Sequence, residues 1–152
     1  MGSGNAGATN TLRNFGVKKA LLVVLGDGLK AALAMVLAKI LVGPEAVLYA
    51  GCVAVLGHIF PVYYGFKGGK GVMSAAAMIL AFDWRIFLFV LAVFLLVAVF
   101  TRYVSLASML AAVAFAMGLL VCYRDHSGYL AAGLCTAAIV VWKHRSNIKR
   151  LL

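Results

Sequence analysis

The sequence predicts an all-α protein: a polytopic bundle of transmembrane helices, with six spans and a single membrane-embedded domain over residues 1–152. The first observation behind this is composition. The chain is 65% hydrophobic and 12% charged, with a mean hydropathy of +1.06, whereas a soluble domain is about half apolar and about a quarter charged. The second is that short polar breaks cut the apolar sequence into six runs. The third is that the cations gather on one side of those runs.

Residues 1–16, MGSGNAGATNTLRNFG, are small and polar and read as a loop. A helix begins near Asn10 or Thr11, since both residue types cap helix starts. The stretch behind Met1 has the character of neither a signal peptide nor a span. The first apolar run, Lys18 to Val42, stops at Gly43-Pro44, a strong terminator. The second, Glu45 to Phe60, stops at Pro61. The loop Gly57 to Gly71, GHIFPVYYGFKGGKG, follows. The third run, Val72 to Phe82, is short. Asp83-Trp84-Arg85 turns into the fourth, Ile86 to Phe100, and Thr101-Arg102-Tyr103 separates it from the fifth, Ser105 to Cys122. Arg124 to Gly128 form the next turn, Tyr129 to Trp142 the sixth run, and the basic KHRSNIKRLL the tail. A full crossing takes about 20 residues. Flanking residues therefore extend the shorter runs, or those runs are partial and buried against neighbours. Alanines and Gly133 within the runs suit close packing of membrane helices.

With six spans, one side carries Arg13, Lys18, Lys19, Lys67, Lys70, Arg102, Lys143, Arg145, Lys149 and Arg150 and no acid. The other carries Lys39, Arg85 and Arg124 against Glu45, Asp83 and Asp125. Such an imbalance is the positive-inside pattern. It places both termini and the Gly57–Gly71 loop in the cytoplasm, and it accounts for the formal charge of +10 without a nucleic-acid partner. Cys52, Cys122 and Cys135 stand alone in apolar runs and form no CxxC or Cys/His cluster. They read as small buried hydrophobes, and no metal site or cofactor is expected.

Three polar clusters lie on the cytoplasmic side: Ser3 to Arg13, the Gly57–Gly71 loop, and His144 to Arg150. Glycines let backbone N–H groups approach a ligand and lysines add charge, so the loop reads as a cradle for a phosphate-bearing substrate. It is not a nucleotide P-loop, because Gly69-Lys70 is followed by Gly71 rather than Ser or Thr. Asp27 and Lys30 are three apart in the first run, either an ion pair, a wall of the site, or both. Ser105 and Ser108 open the fifth run as a cap or a phosphate-binding helix start. His126 reads as a solvated loop residue.

Together these clusters resemble the bacterial acyl-phosphate:glycerol-3-phosphate acyltransferase family over the whole chain. Ser3-Gly4-Asn5-Ala6-Gly7-Ala8-Thr9-Asn10 with Arg13 is similar to its first motif. Gly57-His58-Ile59-Phe60-Pro61 through Phe66-Lys67-Gly68-Gly69-Lys70-Gly71 is similar to the second, and His144-Arg145-Ser146-Asn147-Ile148-Lys149-Arg150 to the third. The resemblance implies acyl transfer from acyl phosphate to the 1-hydroxyl of glycerol 3-phosphate, giving lysophosphatidic acid and phosphate, in the cytoplasmic (inner) membrane with the lipid bilayer as surroundings. It implies Ser3, Arg13, Lys70, His144 and Asn147 as catalytic residues. Gly4, Asn5, Gly7, Thr9, Asn10, Lys30, His58, Lys67, Gly68, Gly69, Gly71, Ser105 and Arg145 would bind substrate. No histidine is followed five positions later by Asp, those positions holding Tyr63, Ala131 and Lys149, so the HxxxxD pattern of acyl-CoA-using relatives is absent. Members of the family carry a further span before the first motif, giving a seven-span fold, and usually continue past the third. This chain opens inside the first motif and ends at Leu152, which leaves an inactive relative as one expectation. A transporter or channel for phosphorylated anions is another. Transport needs polar groups at mid-membrane and on both sides, and here Asp27 and Lys30 are the only embedded charges.

Overall fold

The computed structural model describes residues 7–152, and among them the regular structure is entirely helical. The helices are α1 (Ala8–Leu41), α2 (Ala46–Ile59), α3 (Val72–Phe82), α4 (Trp84–Thr101), α5 (Val104–Cys122), α6 (Ser127–Lys143) and α7 (Arg145–Leu151), with a 3-10 turn at Val62–Tyr64. Among the described residues four stretches are long and apolar enough to cross a membrane: Ala8–Leu41, Ala46–Tyr64, Trp84–Thr101 and Val104–Cys122. The third and sixth apolar runs form the shorter helices α3 and α6. The tail is helical as well, as α7, rather than an extension of the sixth span.

Local chemistry sets the boundaries. Helix α1 begins eight residues into the chain, not at Lys18, but Gly16 breaks it with φ 80° and ψ 178°. Residues 8–15 are thus a separate helical segment in front of the apolar span 17–41. Gly7, not Asn10 or Thr11, precedes the first turn, and Thr11 Oγ1 donates back to the Gly7 carbonyl at 3.2 Å. Gly43, at φ 136°, and Pro44 close α1 as expected. Asp83 separates α3 from α4 and caps α4, its carboxylate accepting from the N–H groups of Arg85 and Ile86. Arg102 ends α4 in the left-handed region at φ 59°. Helix α5 starts at Val104 behind Tyr103, so Ser105 lies inside the first turn and does not cap it. Ser108 Oγ donates to the Val104 carbonyl, one turn back, at 2.8 Å.

The chain divides into two compact units, Met1–Met78 and Ile79–Leu152. In the first, α1 packs on α2 through buried Ala31, Met35, Leu48, Val55 and Ile59. Gly51 of α2 has no room for a side chain, because Met78 and Met35 close over its Cα. Small residues at such crossings let membrane helices approach. Ser74, at the start of α3, is fully buried and donates to the main-chain carbonyl of Asp27 in α1 at 3.2 Å.

In the second unit α5 packs against both α4 and α6. Gly118 lies against Ile86, and Gly133 against Leu119 and Phe115. At one end Asp83 is gripped by three side-chain donors: Arg85 Nε at 3.2 Å, Arg85 Nη2 at 2.9 Å and the Tyr123 hydroxyl at 3.0 Å. The Arg85 hydrogen bonds outweigh burial and lower the Asp83 carboxyl to about 2, while burial, reinforced by Asp83, raises the Tyr123 hydroxyl. Phe82, Tyr123 and Tyr129 pack around this knot with ring centroids 4.8–5.8 Å apart. His126 is exposed, as expected for a loop residue, but stacks on Tyr129 at 5.3 Å.

Cys52 is buried and touches Met78, sulfur to sulfur, at 3.7 Å. Cys122 and Cys135 are exposed, contrary to the expectation that all three are buried. In a bilayer the outer face of a helix is itself in an apolar medium, so an apolar run does not distinguish protein-facing from lipid-facing positions.

Candidate active site

The Gly57–Gly71 loop folds back on the end of α2. Helix α2 stops because Pro61 lacks an N–H and forces the preceding residue out of helical geometry. The chain then makes the Val62–Tyr64 turn and passes two consecutive left-handed residues, Gly65 at φ 58° and Phe66 at φ 61°. That conformation costs roughly 1–2 kcal/mol at a non-glycine residue. The turn is held by Phe66 N–H to the Pro61 carbonyl at 3.0 Å and by Gly68 N–H to the Ile59 carbonyl at 3.2 Å.

The glycines are required by contact. A Cβ at Gly68 would collide with the His58 carbonyl, and one at Gly69 with His58 Nε2. Gly71, at φ 81°, would place a Cβ 2.9 Å from Ile59 Cδ1. The loop backbone is therefore laid directly on His58 and Ile59.

A cavity of about 580 Å³ opens beside it, within the size range of small-molecule sites. One part of its wall is polar: Asp27, Lys30, His58, Lys67 and the Gly68–Gly69 backbone. The other is apolar and aromatic, from Ala34 and Ala54 to Val62, Tyr63 and Tyr64. Tyr63 and Tyr64 meet edge to face at 5.4 Å.

The polar wall is tightly knit. Lys30 Nζ lies 2.7 Å from Asp27 Oδ1 and 2.7 Å from His58 Nδ1, and His58 Nδ1 is 3.1 Å from Asp27 Oδ1. An ammonium group has donors only. Nδ1 therefore accepts from Lys30, and the ring proton sits on Nε2, toward Gly69. The Asp27 and His58 side chains are 14% and 8% exposed, while that of Lys30 is 46% exposed and faces the opening. Asp27 and Lys30 are thus both an ion pair and part of a cavity wall, the two readings the sequence left open.

The structure brings Lys30, His58, Lys67, Gly68 and Gly69 to this one cavity, with Lys70 and Gly71 completing the loop. Gly7, Thr9, Asn10 and Arg13 lie on or just before the helical segment that precedes Gly16 and do not line it. Ser3, Gly4 and Asn5 fall outside the described residues. Ser105, His144, Arg145 and Asn147 belong to the second unit. There His144 is buried and its Nδ1 donates to the Val140 carbonyl at 2.8 Å, which leaves Nε2 as the acceptor nitrogen. Arg145 stacks over the Trp142 ring at 4.2 Å. Nothing in the sequence connects Lys30 with His58, 28 positions apart, or marks Ser74, Tyr63 and Tyr64 as part of the site. Asp27 carried a signal as the one acid inside an apolar run. Ser74, within VMSAAAM, carried none beyond small size.

Comparison with known proteins accords with this geometry. The family model described as glycerol-3-phosphate acyltransferase matches residues 1–152. The chain belongs to the glycerol-3-phosphate acyltransferase family. It is 42% identical over 151 residues to the glycerol-3-phosphate acyltransferase of Coxiella burnetii (strain RSA 493 / Nine Mile phase I), covering 99% of this chain and 77% of that protein. The acyltransferase of Geobacillus kaustophilus (strain HTA426) is 42% identical, with 99% and 76% covered. That of Synechococcus sp. (strain CC9902) is 43% identical over 152 residues, with 99% and 76% covered. Among solved structures the fold is similar to PlsY (YgiH), an integral membrane glycerol 3-phosphate acyltransferase. Its glycerol 3-phosphate form superposes with a TM-score of 0.90 at 38% identity, covering 99% of this chain and 76% of that one. Its lysophosphatidic acid form gives 0.89 at 37% identity, covering 98% and 76%. This acyltransferase chain therefore shares the integral membrane fold expected from its composition.

Proposed function

We propose that residues 1–152, as one membrane-embedded acyltransferase domain, transfer an acyl group from acyl phosphate to the 1-hydroxyl of glycerol 3-phosphate. The products are lysophosphatidic acid and inorganic phosphate, and the step belongs to phospholipid synthesis. The enzyme works in the bacterial cytoplasmic membrane with its site open to the cytoplasm, an orientation supported by the ten cations on that side.

The observation that carries the reading is the two-faced cavity beside the glycine-lysine loop in a chain of this family. Its cationic, glycine-lined wall suits a phosphate, and its aromatic wall suits an acyl chain. The reaction needs no enzyme nucleophile, because acyl phosphate is a mixed anhydride and already activated. The substrate hydroxyl oxygen bonds to the acyl carbon, the bond from that carbon to the phosphate oxygen breaks, and the hydroxyl proton ends on the released phosphate.

Lys67 and Lys70 supply charge to phosphate oxygens, joined in this proposal by Arg13 and Arg145. The backbone N–H groups of Gly68 to Gly71, and those of Gly4 to Gly7, cradle the oxygens. Lys30 and His58 line the polar end. Ser3, Asn5, Thr9, Asn10, Ser105, His144 and Asn147 position the glycerol or the reacting carbonyl.

The test is direct. The purified chain, given palmitoyl phosphate and labelled glycerol 3-phosphate, is expected to form labelled lysophosphatidate without any acyl-CoA. Product from acyl-CoA but not from acyl phosphate would overturn the donor assignment. No product from either would overturn the reading.

A further inference from the structure

One member of the polar wall belongs to none of the three motifs and carries the wrong sign for a phosphate ligand. Asp27 sits in the middle of α1, its carboxylate mostly covered, beside a loop built to hold an anion. A carboxylate repels phosphate, so its place there calls for a role other than substrate contact.

We propose that Asp27 is a positioning residue, which sets the glycine-lysine loop for the phosphate of glycerol 3-phosphate by holding the loop at both of its ends. The inference rests on the acyl-transfer reading above and adds to it a residue that acts through its neighbours.

The entry of the loop is held through the side chain. Asp27 Oδ1 fixes the Lys30 ammonium at 2.7 Å, and the same ammonium donates to His58 Nδ1 at 2.7 Å. His58 lies in the last turn of α2, and its Nε2 edge and main-chain carbonyl are the surfaces against which Gly69 and Gly68 are laid. A histidine ring has only a broad, two-fold preference about its last torsion. The bond from Lys30 is what selects one orientation, and the carboxylate is what keeps Lys30 in place. The exit is held through the main chain. The loop ends at Gly71, and three residues later the buried Ser74 hydroxyl donates to the Asp27 carbonyl at 3.2 Å. One residue of α1 thus contacts elements on both sides of the loop without itself touching the ligand.

The charge has a second effect. Neutralised by Asp27, Lys30 is a weaker competitor for the anion, which leaves the substrate phosphate to Lys67, Lys70 and the loop amides. Without Asp27 the ammonium is an unpaired cation at the cavity wall, and His58 loses its tether.

The experiment compares Asp27→Ala, Asp27→Asn, His58→Ala and the double variant Asp27→Ala/His58→Ala in the full chain, by steady-state kinetics and by calorimetric binding of glycerol 3-phosphate to the solubilised protein. Asp27→Ala is expected to raise KM and Kd for glycerol 3-phosphate about 10- to 100-fold while kcat and the KM for palmitoyl phosphate stay within about three-fold. Asp27→Asn keeps the shape and an oxygen acceptor for Lys30 and is expected to recover part of the loss. It also serves as the readout if Asp27→Ala does not fold. The double variant is expected to be no worse than the poorer single one, because both residues act as one unit. Additive losses, or a fall in kcat with KM and Kd unchanged, would overturn the proposal. The two readings fail separately. A parent chain that binds glycerol 3-phosphate in an Asp27-dependent way but makes no lysophosphatidate sinks acyl transfer alone. A parent chain that turns over, with Asp27→Ala retaining its KM and Kd, sinks the positioning role alone.

Discussion

The two units of the chain each hold a carboxylate in a knot of donors, and the two knots are built to different ends. In the second unit Asp83 accepts from two backbone N–H groups, from Arg85 and from Tyr123, and aromatic rings pack around it. Its oxygens are used up inside the knot. In the first unit one Asp27 oxygen holds the Lys30 ammonium, which donates in turn to His58, and these partners pass its influence on to a cavity wall and a glycine backbone. A carboxylate whose contacts end on itself is a staple. One whose contacts end on an open concave surface is placed to act on whatever that surface binds. Counting ion pairs would rank the two alike, and only what lies beyond the partners separates them.

That contrast can be tested from both sides. Lys70→Ala is expected to have the largest effect, about a 100-fold fall in kcat/KM for glycerol 3-phosphate with little change in melting temperature, as loss of a charge-assisted phosphate contact gives. Gly69→Ala comes next, at roughly ten-fold or more, because the added methyl collides with His58 Nε2 and the loop must shift. A wild-type KM in this variant would show that the His58–loop contact does not set the site.

Asp83→Asn should reverse the pattern. It is expected to leave KM unchanged and, because Asn caps a helix about as well as Asp, to cost about 2 kcal/mol of stability through the lost charge pairing with Arg85. The pH dependence follows from the direction of the shift. The Asp83 carboxyl is lowered from 3.8 to about 2 in the folded chain. It therefore stabilises the fold fully above about pH 4, and this contribution is lost as the pH falls through about 2. Thermal melts of the parent and of Asp83→Asn should differ above pH 4 and converge near pH 2. Cys52→Ala should do least: its sulfur is buried against Met78, away from the cavity wall, so activity stays within about two-fold.

Much of the first unit was legible in the sequence because its signals are local. The terminators Gly43-Pro44 and Pro61 act on adjacent residues, and the density of glycine and lysine from Gly65 to Gly71 has no use in an ordinary short loop. The Lys30–His58 bond was not legible, since it depends on how α1 and α2 pack, 28 residues apart. The break at Gly16 was hidden for another reason. A glycine between Phe and Val in a polar lead-in has no sequence mark that sets its φ positive. Ser105 misled because serine is a good cap, yet the helix had already begun one residue earlier, behind Tyr103.

The brevity of α3 has a consequence for the lipid around this enzyme. Eleven residues rise about 16 Å, roughly half of a hydrocarbon core about 30 Å thick. Its two ends cannot both reach the headgroups of an unperturbed bilayer. Either the loop before it or the Asp83 turn after it sits at hydrocarbon depth, where polar backbone survives only against protein or water. Unless neighbouring protein covers that backbone, the bilayer thins locally or water follows the chain inward. Bilayer thickness thereby becomes a variable of the reaction, and turnover in vesicles of short-chain phosphatidylcholine should exceed that in long-chain vesicles of equal charge.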